Sequence, residues 1–478
     1  MPSTMLKTGL GELKDFFLSR SVSAFLVGGH IRDCLLDVPT RDIDVAVEGD
    51  PLSLARELAD TFGGAFVVLG QPFQGEGQSR RACHEHSRGV ARVVLPSRAQ
   101  DTPSDEGRLV IDVSGMEGPI YGDLMRRDFT VDAMALALED WGAPGWDERI
   151  LDPFGGREDL AQGIIRALRP SVFRDDPARL LRAVRLAAKL GFHIDPHTAE
   201  LISREALLIT SVAGERVRDE FLAILSLDGA KNHLETLDGL GLLCCIIPEL
   251  GITKGVQQPR EHYWDVFGHS VHSVEGVERV ANRFTGDPVS GLVPWGGEMG
   301  ERFAQEVSDG HTRRTILKLG ALLHDIAKPQ TKMVDSKGRT RFLGHHTLGA
   351  SMSRAILHRL RLSHRGTGMV CSMVENHLRP MQMSQDGELP TPRAVYRYFK
   401  DVGDVAVDTL YLSLADHLAA RGPELDMRGW QRHIRIIEHV LEVGTSRQAI
   451  ITKVPRLLTG HDLIDEFGLA PGLSLIHI

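Results

Sequence analysis

The sequence predicts an α+β chain: a small mixed sheet near the N-terminus, then helices almost throughout. Three observations predict it. Short apolar runs at Phe25 to Val27, Ile43 to Val47, Ala65 to Leu69, Gly89 to Leu95 and Arg108 to Val113 read as strands bounded by Gly, Pro and Asp. They do not alternate with helices as a repeating βαβ series would. From Arg166 to about Leu227 the pattern is wholly helical, broken at Gly191 and near Asp195-Pro196. A length of 478 residues leaves room for about three domains.

Composition narrows the class. The formal charge is −9, so any surface for nucleic acid must be local. Cys34, Cys83, Cys244, Cys245 and Cys371 form no Cys-x-x-Cys, which argues against a zinc ribbon or a disulfide framework. No run reaches the ~18 apolar residues of a membrane span. The first twenty residues carry Glu12 and Asp15 and lack a signal-like core. The expectation is a reduced, cytoplasmic protein with no membrane partner.

Taken in order, Leu6 to Leu18 is a short amphipathic helix. Phe25 to Asp33 is a strand, a glycine turn and a short helix, and Arg41 to Val47 is the next strand. Asp42 and Asp44 are two apart, so a strand points both carboxylates to one face. Such a pair can hold two divalent metals. Gly28 and Gly29 let backbone N–H groups approach a phosphate, and Arg32, one turn on, can reach the same phosphate. Singly, these are a tight turn and a solvated acidic edge; flanked by two apolar strands, they point to phosphate chemistry. Pro51 to Phe62 is a helix, stopped by Gly63-Gly64. Ala65 to Leu69 is a buried strand, and Gln71 to Arg88 a polar loop. Asp112 stands at the end of the last strand, either as a third carboxylate or as a cap.

Asp123 to Ala135 places Arg126, Arg127 and Asp128 before an amphipathic helix. The arginines suit phosphate, or are a stray basic pair at a helix start. Ile150 to Gly156 is a turn between domains. In Asp175 to Arg185, Pro177 fits a first helical turn and Asp175 or Asp176 its cap. Arg179, Arg182 and Arg185 lie along one side of that helix. Residues 157–189 hold eight Lys/Arg against four Asp/Glu, a basic stretch in an acidic chain. It is a solvated face or a reader of bases. Cytosine and adenine both present an amino donor beside a ring-nitrogen acceptor; a carboxylate with an arginine matches that edge and mismatches guanine and uracil. Asp176 with Arg179 supplies both groups.

Further on come His262, His269, His324-Asp325, His345-His346, His377 and Asp416-His417. A lone histidine on an apolar helix is usually a satisfied core residue. This ordered set can build a metal site of nitrogen and oxygen ligands. Gly286 to Gly310 reads as a flexible insertion, and the rest as helical to about Leu441. The last residues, Pro471 to Ile478, fit no element and suggest a truncated or foreign tail.

The Gly28-Gly29 turn with Asp42 and Asp44, then Arg126-Arg127-Asp128-Phe129-Thr130, Asp175-Asp176 with Arg179, and Leu458-Thr459-Gly460 with Asp462 resemble the tRNA nucleotidyltransferase and poly(A) polymerase family. Asp132 stands where that family has Asn, Asp175 where it has Glu, and Asp112 where Glu is usual. The later histidines resemble the metal-dependent phosphohydrolase superfamily named for its His-Asp (HD) pair. The resemblance implies a polymerase-beta-like nucleotidyltransferase head at 1–150, a helical neck for RNA and nucleobase at 151–233, a helical HD domain at 234–425, and a tail at 426–478. It implies attack by a tRNA 3′-hydroxyl on the α-phosphate of CTP or ATP, untemplated, releasing pyrophosphate. Asp42, Asp44 and Asp112 would be catalytic, the first two on Mg²⁺. Gly28, Gly29, Arg32 and Arg127 would place the triphosphate. Asp175, Asp176 and Arg179 would read the base, with Arg182 and Arg185 in support. His269, His324, Asp325 and Asp416 would hold Mg²⁺, Mn²⁺ or Ni²⁺, with His345, His346 and His377 behind them. The alternatives are a poly(A) polymerase, whose basic pair is missing from Val67 to Phe73, an HD phosphohydrolase with a nucleotide-sensing head, and a catalytically silent RNA-binding protein.

Overall fold

A computed structural model describes residues 4–69, 89–96, 108–116, 118–259, 262–282, 287–384 and 388–451. The Gln71 to Arg88 loop, Cys83, the Leu458 to Asp462 motif and the last residues lie outside these. The chain divides into two compact units, Met1–Val212 and Ala213–Ile478.

In the first unit, α1 (Thr4–Ser19) leads into β1 (Ala24–Val27), α2 (Gly29–Leu35), β2 (Asp42–Glu48), α3 (Pro51–Phe62), β3 (Ala65–Leu69), β4 (Val90–Leu95), β5 (Leu109–Met116), α4 (Ile120–Leu124) and β6 (Ala135–Ala137). The six strands form one sheet in the order β3-β4-β5-β2-β1-β6. Only β2 and β5 run parallel. Ile43, Val45 and Val47 point into a core with Leu26, Val93, Ile111, Val113 and Leu58 of α3. Alternation therefore sends Asp42 and Asp44 to the opposite face. α3 starts and stops as its sequence indicates. The Asp50 carboxylate accepts from Leu52 N–H, Pro51 occupies the first turn, and Gly63 takes the left-handed conformation at φ 66°.

Several local expectations are corrected. β3 is not buried: it is the sheet edge, and Val67 is half exposed. Asp112 is not at a strand end but in the middle of β5, because pairing with β2 continues to Met116. The helix expected after Arg126-Arg127 is a single 3-10 turn, Thr130–Asp132. Phe129, Val131, Ala133, Met134, Ala135 and Leu136 are all buried, so no polar helix face exists, and the chain instead pairs with β1 as β6.

The region from Arg166 is not wholly helical. After α5 (Gly156–Gln162), β7 (Ile164–Ile165) pairs in parallel with β8 (His193–Ile194) around α6 (Val172–Asp175) and α7 (Arg179–Leu190), before α8 (Pro196–Glu205). α7 begins two residues beyond Pro177, and neither Asp175 nor Asp176 is its cap. Gly191 ends it at φ 68°.

The second unit is helical: α9 (Gly214–Ser226), α10 (Ala230–Gly239), α11 (Leu242–Ile246), α12 (Pro248–Thr253), α13 (Val266–Val280), α14 (Met299–Ala304), α15 (Arg313–Leu323), α16 (Lys328–Thr331), α17 (His345–Arg359), α18 (His364–Asn376), α19 (Arg379–Gln382), α20 (Pro392–Val402), α21 (Ala406–Arg421) and α22 (Met427–Ile451). A short hairpin, β9 (Glu306–Ser308) with β10 (His311–Thr312), precedes α15, and another, β11 (Lys332–Val334) with β12 (Thr340–Phe342), precedes α17. α13, α15, α18 and α21 pack together at its centre. A Cβ at Gly276 would lie 2.6 Å from the Ala415 carbonyl oxygen, so glycine lets α13 touch the α21 backbone. The glycine-rich tract is not a free insertion over 287–310, since Val293, Phe303 and Val307 are buried in the core. Among the described residues no helix is long and apolar enough to cross a membrane.

Candidate functional sites

The carboxylate site in the first unit is built by β2 and the turn after β1. Asp42 and Asp44 share the polar face of β2, Asp42 exposed and Asp44 half-buried. Gly28 holds φ 69°, and a Cβ there would meet Arg127 Nη1 and lie 3.2 Å from Asp44 Oδ2. Glycine is thus required by backbone conformation and by space alike. Burial raises the Asp44 carboxyl above its ordinary range, Arg127 pulls it down, and Asp112 pushes it up again. A carboxylate left short of positive charge, with a second one beside it, suits a divalent cation.

Arg127 turns to this pair and also meets Asp123 at 3.3 Å. Asp112 aligns with Asp44 across β5 and β2, so the three carboxylates do share a face. Both Asp112 oxygens, however, lie in the fork of Arg92, at 2.8 and 2.7 Å. Arg32 stands against the glycine turn, its Nη2 3.2 Å from where a Cβ on Gly29 would lie. It is buried, donating to Asp33 Oδ1 at 2.8 Å and to Asp132 Oδ1 at 2.6 Å. The unusual Asp132 therefore forms a buried ion pair with the arginine expected on phosphate. Arg92 escaped the sequence reading; the available signal was one cation in the apolar run Val90 to Leu95.

Arg179 of α7 donates to the Arg126 carbonyl at 3.2 Å and the Val172 carbonyl at 3.4 Å, and Arg182 meets Asp128 at 3.0 Å. Arg169 clamps the same segment through the Arg127 carbonyl at 3.1 Å, and pairs with Asp175 at 2.7 Å. The arginine helix is thus docked on the Arg126–Asp128 segment, beside the carboxylates. Asp176 is extended, its carboxylate accepting from Ala178 N–H at 3.2 Å. Arg185 follows one turn after Arg182, half-buried.

A separate cluster lies in the second unit. His269 Nε2 stands 3.0 Å from Asp416, 3.4 Å from Asp325 and 3.2 Å from His324 Nε2; His324 Nε2 is 3.2 Å from Asp325. His345 and His377 were expected behind these residues. They instead reach the other oxygen of Asp325, at 3.4 and 3.9 Å, with their own Nε2 atoms 3.3 Å apart. Asp325 thus bridges two groups of nitrogens. His346 is half-buried beside His345 and makes no contact with Asp325 of this kind. The three imidazoles His324, His345 and His377 place Nδ1 against the carbonyls of Ala321, Phe342 and Val374, at 2.8, 2.7 and 2.7 Å. Donation from Nδ1 leaves the Nε2 lone pairs facing inward, the arrangement of metal-ligating histidines. Burial opposes charge on His324, but Asp325 and Asp416 outweigh it and lift its pKa to about 10. Without a metal His324 Nε2 therefore carries a proton between those carboxylates, which a bound divalent cation would displace. Lys328, also missed from sequence, lies 2.6 Å from Asp325 and, with His262, Arg341 and Phe342, lines a cleft of about 310 Å³ over the cluster.

The chain matches known proteins along most of its length. Residues 24–166 match the poly A polymerase head domain, 191–252 the probable RNA and SrmB-binding site of polymerase A, and 266–421 the HD domain. An A-adding tRNA nucleotidyltransferase of Deinococcus radiodurans is 31% identical over 94% of this chain and 88% of its own. A CC-adding tRNA nucleotidyltransferase of Thermus thermophilus is 29% identical over 96% of this chain and 88% of its own. In fold, the chain is similar to the Thermotoga maritima CCA-adding enzyme solved with tRNA, at a TM-score of 0.57 and 20% identity, covering 99% of this chain and 89% of that one.

Proposed function

We propose that this chain, which belongs to the tRNA nucleotidyltransferase and poly(A) polymerase family, adds CMP, AMP or both from CTP and ATP to the 3′ end of tRNA in the cytoplasm. The observation that carries this reading is the carboxylate pair Asp42 and Asp44 beside the Gly28 turn, with the Arg179 helix docked next to it. The domains are taken as a head at 1–150, a neck at 151–233, an HD domain at 234–425 and a tail at 426–478.

Asp42 and Asp44 would hold Mg²⁺, which when bound lowers the pKa of the attacking hydroxyl and stabilises the leaving pyrophosphate. Arg127 orients the triphosphate, and the bare backbone at Gly28 and Gly29 lets the phosphates close in. Asp176 accepts from the amino group of C or A, and Arg179 donates to the ring nitrogen. Because Arg179 also bonds to Arg126, base and triphosphate are held by one connected piece of structure. Arg182, on Asp128, stiffens that piece.

The test is nucleotide omission on tRNA lacking its terminal residues, with ATP alone, CTP alone and both. Limited addition of C, A or CCA supports the reading. An unlimited A-tail without use of CTP makes the protein a poly(A) polymerase, and unchanged incorporation by Asp42→Ala refutes transfer at this site. A second activity is favoured by the Asp325 cluster, whose histidines fit divalent ions: hydrolysis of a phosphoester in the cleft beside Lys328. Equal hydrolysis of a 2′,3′-cyclic phosphate by His324→Ala and wild type would make that domain structural.

A further inference from the structure

Arg169 stands where the phosphate-facing and base-facing parts of the first unit meet. Residues 128–130 run antiparallel beside 166–168. Leu168 N–H donates to the Asp128 carbonyl at 2.9 Å, Thr130 N–H donates to the Arg166 carbonyl at 3.0 Å, and Phe129 bridges to Ala167. Arg169 is the next residue along, so this pairing delivers its side chain to the carbonyls just before Asp128. Those of Met125, Arg126 and Arg127 follow the end of α4, where a helix leaves carbonyls in need of donors. Arginines supply all three. Arg169 Nη1 donates to the Met125 carbonyl at 2.5 Å and to the Arg127 carbonyl at 3.1 Å, and Arg179 donates to the Arg126 carbonyl between them. On its other edge, Arg169 donates from Nε and Nη2 to Asp175 Oδ2 at 3.1 and 2.7 Å. Ser171 Oγ donates to the same oxygen at 3.2 Å.

One guanidinium therefore fixes two pieces at once. Arg127, whose carbonyl it holds, is the arginine that pulls the Asp44 carboxyl down and stands against the Gly28 turn. Asp175, which it pairs, is joined by one peptide bond to Asp176, and Asp176 accepts from Ala178 N–H at the start of the Arg179 helix. A planar guanidinium with two carbonyls on one edge and a carboxylate on the other has little freedom to turn. The spacing between the triphosphate grip and the base readers is thereby set. With that spacing set, a nucleotide places its α-phosphate at Asp42 and Asp44 only when its base satisfies Asp176 and Arg179. With it loose, a mismatched base is tolerated and a matched one is aimed less well. We propose that Arg169 is a positioning residue that sets Asp176 and Arg179 against Arg127, with Asp175 as its anchor, and so turns base contacts into selectivity of the transfer step. This rests on the reading of Asp176 and Arg179 as base readers.

The experiment uses full-length protein on tRNA lacking its 3′ end, with kcat/KM measured for CTP, ATP, UTP and GTP. In Arg169→Ala the ratio of the preferred nucleotide to UTP or GTP should fall about tenfold although Asp176 and Arg179 are intact, with KM for the RNA within about twofold. Asp175→Ala should lower the ratio in the same direction. Adding it to Arg169→Ala should change the ratio by less than about twofold more, since the anchor acts only through the arginine. Arg169→Lys, which keeps charge but cannot span two carbonyls and a carboxylate, should fall between wild type and Arg169→Ala. It carries the test together with Asp175→Ala if thermal unfolding shows Arg169→Ala misfolded. A purely structural arginine would lower kcat/KM for all four nucleotides alike, so an unchanged ratio in Arg169→Ala overturns the proposal. A full additional loss in the double variant overturns it too. An unchanged ratio in Arg179→Ala, measured alongside, overturns the base-reading assignment itself.

Discussion

Replacing Arg32 separates two roles for it: a phosphate ligand, as its place in the glycine-turn helix suggests, or a buried structural cation. Arg32 is 5% exposed and Asp132 2%, and they meet at 2.6 Å, with Asp33 as a second partner. Arg32→Met would leave Asp132 buried without its counter-ion. Burial already raises the Asp132 carboxyl against the pull of Arg32. Without Arg32 it would take up a proton at neutral pH. Forcing that on a group of ordinary pKa near 3.9 costs about 1.4 kcal/mol per pH unit, or about 4 kcal/mol at pH 7. The same figure lies within the ~3–5 kcal/mol found when one partner of a buried pair is removed. A carboxyl whose folded pKa is raised contributes stability below its unfolded pKa and loses it as pH rises. The deficit of Arg32→Met should therefore shrink from pH 7.5 to pH 5.5, and Asp132→Asn in the same chain should restore part of it. Urea titrations of wild type, single and double variants at the two pH values measure this. A loss under about 1 kcal/mol at both pH values, with a raised KM for nucleotide, would refute the buried role and return Arg32 to the phosphate.

Arg179→Ala should reduce discrimination between CTP or ATP and UTP or GTP by about tenfold or more, one lost base contact being worth ~1–3 kcal/mol, as read by competition between nucleotides. His30 is held down to about 4 by burial, against the Asp42 carbonyl that would raise it. The unfolded chain protonates it near 6.5, so stability falls as pH drops from 6.5 to 4, by up to about 3 kcal/mol. His30→Gln should flatten that slope in urea titrations at pH 7.5 and 5.0. For the histidine cluster, metal analysis after loading with Mn²⁺ should show Asp325→Asn losing nearly all the metal bound there and His377→Ala only part, since Asp325 alone touches both groups of nitrogens. Equal loss in the two variants would mean one centre and not two.

Much of both sites was legible because their signals are local. The Asp42–Asp44 spacing decides a strand face by itself, and Gly28 next to a buried strand already implies a tight, open turn. Pro51 and Gly63 bound α3 by backbone chemistry alone. The helix after Arg126-Arg127 was misread because burial of consecutive residues, and not periodicity, set its conformation. His345 and His377 fall too far out because they stand 20 and 52 residues past Asp325 in the chain, beyond a hairpin and, for His377, two helices, and only the fold brings them to it.

What the sequence determined by itself is therefore the inventory and local form of the chemistry: two carboxylates on one strand face, a glycine turn, an arginine-bearing helix, and histidines ready for a cation. These follow from spacing and from each residue's own conformational limits. Tertiary structure decided which charges neutralise one another. Arg32 went to Asp132, a hundred residues away, because both are buried and neither is tolerable alone. Asp112 went to Arg92 because strand register set them side by side. Pairing depends on distance in space and on local dielectric, and neither is written in the order of residues along the chain.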